Sequence, residues 1–177
     1  GNAFEWRFEF PEVLDDDGKF IGFDVVIGNP PYYSVGKEPI LKFISHLYLT
    51  YNQTGDIYSL FYERGNQILR TEGILSLITS NKWLRAAYGM NLRKYFLQKT
   101  HLLKLFDFGG VRIFDEATVD TSILMYKKSD KTTDVVEAVY FEKTFKPDDG
   151  LNEYANAHKI TIQNLTINSW NIAIKEV

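Results

Sequence analysis

Apolar and polar residues change their spacing several times along the chain, and each change marks an element. Phe4-Glu5-Trp6-Arg7-Phe8-Glu9-Phe10 alternates with period two, which predicts a half-buried strand ended by Pro11. Asp15-Asp16-Asp17-Gly18 reads as a solvated turn. Phe23-Asp24-Val25-Val26-Ile27-Gly28 is mostly apolar and β-branched and stops at Asn29-Pro30-Pro31, residues that cannot continue a sheet. A central strand is expected there, with Asn29 at its carboxyl end. From Pro39 onward, Ile40, Phe43, Ile44, Leu47 and Tyr48 recur at helical spacing. A second helix is expected from a cap at Asp56, through the stripe Ile57, Leu60, Phe61, Ile68 and Leu69, to Gly73.

Residues 74–79 are short and nearly all apolar, as in a strand covered on both faces. Leu92, Tyr95 and Phe96 predict a helix ending near Lys99, and residues 102–108 the next strand, broken by Gly109-Gly110. Residues 121–127 and 135–141 are β-rich runs separated by Ser129-Asp130-Lys131-Thr132-Thr133, which predicts a hairpin. The order implies an α/β unit over 4–146 with a parallel sheet closed by an antiparallel C-terminal hairpin. Beyond Pro147-Asp148-Asp149-Gly150, Ile160, Ile162, Leu165, Ile167, Trp170, Ile172 and Ile174 are spaced mostly by two. They predict a β-rich appendage over 147–177.

Composition agrees with a folded domain: the chain has 177 residues, 45% hydrophobic and 15% aromatic. The absence of cysteine removes disulfides, thiolate zinc sites and cysteine nucleophiles together, and suits a cytoplasmic protein. No apolar run approaches the ~20 residues of a membrane helix, so no membrane partner is expected. His46, His101 and His158 show no ligand spacing, and no metal site is expected. The net charge of −3 is unevenly placed. Residues 1–38 hold eight acidic side chains against three basic ones, while residues 81–131 hold ten basic against five acidic. That basic middle is either a phosphate-facing surface or a set of solvated faces.

The chemistry concentrates in Asn29-Pro30-Pro31-Tyr32. Two prolines fix the backbone and leave carbonyls without neighbouring N–H donors, so rigid acceptors face whatever lies beyond the strand. The Asn29 side-chain oxygen and the Pro30 carbonyl can each accept one hydrogen of a planar –NH₂ group. Its nitrogen is thereby drawn toward a tetrahedral form with a free lone pair, while Tyr32 stacks on the attached ring.

With Asp56-Ile57-Tyr58-Ser59-Leu60-Phe61-Tyr62-Glu63-Arg64, residues 73–83 and residues 114–128 following in order, the chain resembles the gamma-class, adenine-specific DNA methyltransferases of type II restriction-modification systems, including the fused type IIG kind. The resemblance covers residues 4–143 and implies a partial Rossmann-like, S-adenosylmethionine-dependent methyltransferase fold acting on double-stranded DNA. It implies that Asn29 and Pro30 hold the adenine amino group of a flipped base, on which Tyr32 stacks. Pro31 and Phe61 would flank the adenine of S-adenosylmethionine, and Phe114 would lie on the other side of the target base. Phe61 has core packing as its alternative, and Tyr33 rivals Phe114.

The chain also departs from that family. The Gly-rich loop and the acidic residue that hold the cofactor's methionine and ribose are not present before Asn29, and Gly109-Gly110 has the wrong spacing to replace them. The expectation is a fragment: the C-terminal half of a catalytic domain over 4–146 and the start of a target-recognition region over 147–177. By itself it would be inactive, with an exposed sheet edge open to self-association. Pro147-Asp148 lacks the partner residues of a metal nuclease. The competing readings are a non-catalytic DNA-binding or interaction module and a methyltransferase for protein glutamine amides.

Overall fold

The computed structural model describes residues 6–114, 119–146, 148 and 150–172. Its strands are β1 (Phe23–Gly28), β2 (Leu69–Ser80), β3 (His101–Asp107), β4 (Thr121–Lys127), β5 (Val136–Tyr140) and β6 (Ile160–Ile162). Its helices are α1 (Trp6–Glu9), α2 (Pro39–Phe43), α3 (Tyr58–Ile68), α4 (Met90–Lys99) and α5 (Leu151–His158). The strands form one sheet in the order β1-β2-β4-β3-β5-β6. β1 is parallel to β2 and β3 to β5, whereas β4 is antiparallel to both β2 and β3, and β6 to β5. Four strands therefore point one way and two oppose them, an α/β fold with a mixed sheet.

The antiparallel component is not the hairpin expected of residues 121–127 and 135–141. β4 pairs with β2 from Ile74↔Lys127 to Ser80↔Thr121 and with β3 on its other side, so neither of its edges is left for β5. The connection over residues 128–135 carries the chain past β3, a step of about 10 Å for two strand spacings, and β5 then pairs beside β3. β1, expected to be central, is the terminal strand among the described residues and pairs only with β2, leaving Val25 and Ile27 exposed.

Other local expectations are redirected by their surroundings. Trp6–Glu9 is helical rather than extended, because no strand lies alongside to reward the alternation. Phe4 and Glu5 lie outside the described residues. Phe10 packs edge-on against Phe23, with ring centroids 5.4 Å apart. The helix from Pro39 stops at Phe43, and Ser45–Leu47 follows as a single 3-10 turn. Leu41 and Tyr48 pack against Val35, Ile57 and Leu60, but Ile40, Phe43 and Leu47 face solvent.

α3 starts without a side-chain cap, since the Asp56 carboxylate accepts a hydrogen bond from the Tyr88 hydroxyl at 3.0 Å. It ends at Ile68 rather than Gly73. Residues 70–73 bulge out between the pairs Phe23↔Leu69 and Val25↔Ile74. Gly73 suits the bulge, where a Cβ would come within 2.9 Å of the Phe23 and Arg70 carbonyl oxygens.

One sheet face carries Leu75, Leu77, Leu105, Leu124 and Tyr126, which pack with Tyr58 and Tyr62 of α3 and with Leu92 and Phe96 of α4. The opposite face holds Phe106, Val139 and Phe141, with Tyr154 of α5 stacked on Phe141 at 4.9 Å. Residues 151–158, expected within the β-rich appendage, are thus helix, because the alternation begins only at Ile160. β6 extends the main sheet, and Trp170 and Ile172 enter the main core, where Trp170 meets Trp83 at 5.4 Å. Ile174, the last residue of the alternating run, lies outside the described residues.

Candidate active site at the carboxyl end of β1

Pro30 and Pro31 have no N–H to give β2, so the ladder stops at Gly28↔Leu77 and the chain turns away as the Asn-Pro-Pro-Tyr segment. Asn29 and Pro31 are exposed and Pro30 is buried. Because β2 and β3 run in the same direction as β1, their ends at Ser80 and Asp107 reach the same side of the sheet as Asn29.

A cavity of about 370 Å³ opens beside this turn, lined by Val26, Ile27, Gly28, Asn29, Pro30, Pro31 and Leu77 from the sheet side and by Phe61, Arg64, Gly65 and Ile68 from α3. Pro31 and Phe61, read from sequence as one pair of walls, thus line one space. Phe61 is not a core residue: it is 42% exposed, while the buried face of α3 runs through Tyr58, Ser59, Tyr62, Glu63 and Asn66. Gly65 lets the helix approach the sheet this closely, since a Cβ there would lie 2.3 Å from Leu75 Cδ1. Sequence reasoning missed Arg64, Gly65 and Ile68. They follow Phe61 at i+3, i+4 and i+7, a spacing from which they could have been found.

Asn29 and Tyr32 meet directly. The Tyr32 hydroxyl donates to Asn29 Oδ1 at 2.6 Å and lies 3.0 Å from the Ile78 carbonyl oxygen, a second acceptor at the end of β2. Its ring packs edge-on against Tyr58, with centroids 6.1 Å apart. Burial pushes the Tyr32 hydroxyl up to about 12, so it is a proton donor at neutral pH and no base. Tyr33 belongs elsewhere: its ring packs with Val35, Ile57 and Leu60, and its carbonyl accepts from the Ile57 amide. Phe114 is half-buried on the segment after β3 and is not among the residues lining the cavity.

A second polar centre lies at the same end of the sheet. The Asp107 side chain is completely buried and accepts from Asn81 Nδ2 at 2.7 Å and the Gly109 amide at 3.0 Å through Oδ1, and from Arg85 Nη2 at 2.7 Å through Oδ2. Nothing in the sequence pattern marked it, because Asp107 ends a mostly apolar strand and its side-chain partners Asn81 and Arg85 lie on another turn. Among the described residues no group of His, Asp and Glu side chains could hold a metal ion, and no helix is long and apolar enough to cross a membrane.

The chain is similar to known proteins. The family description "Eco57I restriction-modification methylase" matches residues 1–114. The type II restriction enzyme and methyltransferase RM.Eco57I of Escherichia coli is 34% identical over 113 residues, which are 60% of this chain and 11% of that protein. The type II methyltransferase M.BstVI of Geobacillus stearothermophilus is 29% identical over 143 residues, 78% of this chain and 26% of its own. The chain therefore spans well under half the length of these relatives. Among solved structures, a nuclease-deletion mutant of the Type ISP restriction-modification enzyme LlaGI, in complex with a DNA substrate mimic, superposes with a TM-score of 0.65 at 17% identity, over 88% of this chain and 16% of that one. A protein described as a class I S-adenosylmethionine-dependent methyltransferase from Listeria monocytogenes gives 0.57 at 17% identity, over 72% of this chain and 39% of that one. With a family match over more than half its length and the fold of the class I methyltransferases, the chain belongs to the Eco57I restriction-modification methylase family.

Proposed function

We propose that this chain carries the amino-methylating half of an adenine-specific DNA methyltransferase, with residues 147–177 leading into a target-recognition region. The observation that carries the reading is the meeting of Asn29-Pro30-Pro31-Tyr32 with Phe61 around one largely apolar cavity at the carboxyl end of β1. The type II methyltransferase relatives and the DNA-bound LlaGI neighbour support DNA as the substrate.

Asn29 Oδ1 and the Pro30 carbonyl accept the two hydrogens of the exocyclic amino group of an extruded adenine, and the nitrogen lone pair is freed for attack. S-adenosylmethionine, when bound, supplies an electrophilic methyl group on its sulfonium. Pro31, Phe61 and Arg64, which line the cavity, would hold its adenine. As the lone pair bonds to the methyl carbon, the carbon–sulfur bond breaks and its electron pair stays on sulfur, which leaves as a neutral thioether; the nitrogen, now cationic, releases a proton to water, so no strong base is needed. The Tyr32 hydroxyl has two acceptors, Asn29 Oδ1 and the Ile78 carbonyl, and Asn29 Oδ1 keeps a second lone pair for the target amino group while the Tyr32 ring stacks on the base. Phe114 faces the opposite side of that base. A chain without a Gly-rich loop contributes one wall of the cofactor site and by itself neither holds S-adenosylmethionine tightly nor methylates DNA.

The test uses the gene product that contains this chain, duplex DNA and S-adenosylmethionine labelled in its methyl group, with products hydrolysed to nucleosides. Label in N6-methyladenine is expected, slowed on the order of 10² to 10³-fold by Asn29→Ala at an unchanged melting midpoint. Label in another base or in protein glutamine overturns the reading. So does an Asn29→Ala rate within threefold of native, or salt-dependent DNA binding with no methyl transfer.

A further inference from the structure

The buried carboxylate of Asp107 lies outside the cavity, and the proposed reaction leaves it without a role. Its partners tie together two chain segments that are distant in sequence. Through Oδ1 it holds the Gly109 amide, the first step of the segment leaving β3, and the Asn81 side-chain amide. Asn81 in turn donates its backbone N–H to the Asp120 carbonyl at 2.9 Å, on the return of that segment into β4. Phe108 N–H reaches the Thr121 carbonyl at 3.0 Å, closing the base of the segment. Arg85 Nη2 completes the charge balance on Oδ2 and comes from the same turn as Asn81. That turn is fixed from behind, because Arg93 donates to the Trp83 and Ala86 carbonyls and Trp170 N–H to the Leu84 carbonyl.

A carboxylate removed from water is destabilising unless donors surround it, and here the three donors come from the turn after β2 and from the segment after β3. Between the two feet lie Arg112, Ile113 and Phe114. Phe108 and Val111 anchor the outgoing strand side in the aromatic cluster of Phe141 and Phe145. Gly109 adopts φ +50°, and a Cβ there would stand 2.6 Å from the Tyr140 hydroxyl, so the turn that exposes its amide to Asp107 favours glycine.

We propose that Asp107 is a positioning residue: with Asn81 and Arg85 it clamps both feet of the segment that carries Phe114, so that this ring is presented from a rigid base. The inference rests on the reading of Phe114 as the second wall of the extruded adenine. Aromatic stacking depends on where the ring is held, and a ring on a loosened base spends less time in the productive place. The residue touches neither base nor cofactor and acts only through the segment it holds.

Two readouts on Asp107→Asn in the gene product that contains this chain test the clamp. Hydrogen exchange is followed by mass spectrometry over residues 108–114 and 119–120 and, as internal reference, over β2. Extrusion is followed by the emission of a duplex with 2-aminopurine at the target adenine, alongside anisotropy for affinity. The expected result is exchange at least tenfold faster in 108–114 and 119–120, β2 protection within twofold, and an emission rise cut at least threefold while affinity stays within threefold. Unchanged exchange in those residues overturns the clamp, as does acceleration spread evenly over the sheet, which marks general destabilisation. A native emission rise despite faster local exchange overturns the positioning role. Arg85→Gln, at a partly exposed side chain, carries the same expectations where Asp107→Asn does not fold. If the native protein binds DNA but gives no emission change, the adenine reading fails instead, and the exchange comparison alone decides the clamp.

Discussion

Replacing Tyr32 by phenylalanine removes one oxygen and leaves the ring. In the structure that oxygen serves two acceptors, Asn29 Oδ1 at 2.6 Å and the Ile78 carbonyl at 3.0 Å, while the ring keeps its edge-on contact with Tyr58. Folding should weaken by the net value of a single hydrogen bond, about 0.5–1.5 kcal/mol. For a chain of this size that is a fall of roughly 1–6 °C in melting midpoint. The effect on the target base should be small. Asn29 Oδ1 has a second lone pair for the proposed target amino group, and the ring that would stack on the base is unchanged. Engagement of the extruded base should therefore stay within about tenfold of native, the affinity equivalent of one hydrogen bond. Tyr32→Ala loses the stacking surface as well, worth about 1–3 kcal/mol on a base, and should weaken engagement. Differential scanning calorimetry and 2-aminopurine emission on the three proteins provide the two axes. A phenylalanine variant as defective as alanine in base engagement would show that the hydroxyl is the working part, and the account of Tyr32 as a stacking ring would be wrong.

Calorimetric titration of the 177-residue chain with S-adenosylmethionine should give no dissociation constant near or below ~10 μM, because losing two or three charge-assisted hydrogen bonds removes ~3–6 kcal/mol from a micromolar site; a tight isotherm would refute the incomplete-site reading. Gly65→Ala gains helix propensity of about 0.8–1.0 kcal/mol but drives a methyl into fully buried Leu75, at a cost of about 1–3 kcal/mol. A net loss of up to about 2 kcal/mol is expected in urea unfolding, and a variant more stable than the native chain would mean α3 sits farther from the sheet. Burial pushes Tyr32, Tyr88 and Tyr95 each up to about 12, above the ordinary value of about 10 for an unfolded chain. A raised folded value favours the protonated form, so this contribution to stability is intact below pH ~10 and is lost as the pH rises toward 12. Unfolding by urea at a series of pH values should show a fall confined to that window, and a decline already complete by pH 9.5 would contradict the burial of these rings.

Much of the site was legible in the chain because it is local. A β-branched run broken by two prolines ends a strand and fixes two acceptors next to each other whatever surrounds them, so Asn29 and Pro30 stand out as candidates without any tertiary contact. Residues 102–108 and 121–127 read as strands, and the helix ending at Lys99 was equally plain, because a period of two or of 3.6 is written into each backbone by itself. What periodicity does not encode is the identity of the neighbour. Residues 121–127 could be recognised as β but not as the strand inserted between β2 and β3, since that choice depends on which edges are free after the whole sheet forms. Phe61 stood on an apparent core stripe, and only the docking of α3, closely packed at Gly65, turned it outward to share a cavity with Pro31. The Tyr32 hydroxyl reaches Ile78 across 46 positions, and Asp107 gathers Asn81, Arg85 and Gly109 across as many as 26. Such contacts belong to the meeting of strand ends, where side chains from separate elements complete each other's hydrogen bonds. They were decided by the packing of the sheet, because no single segment contains both partners.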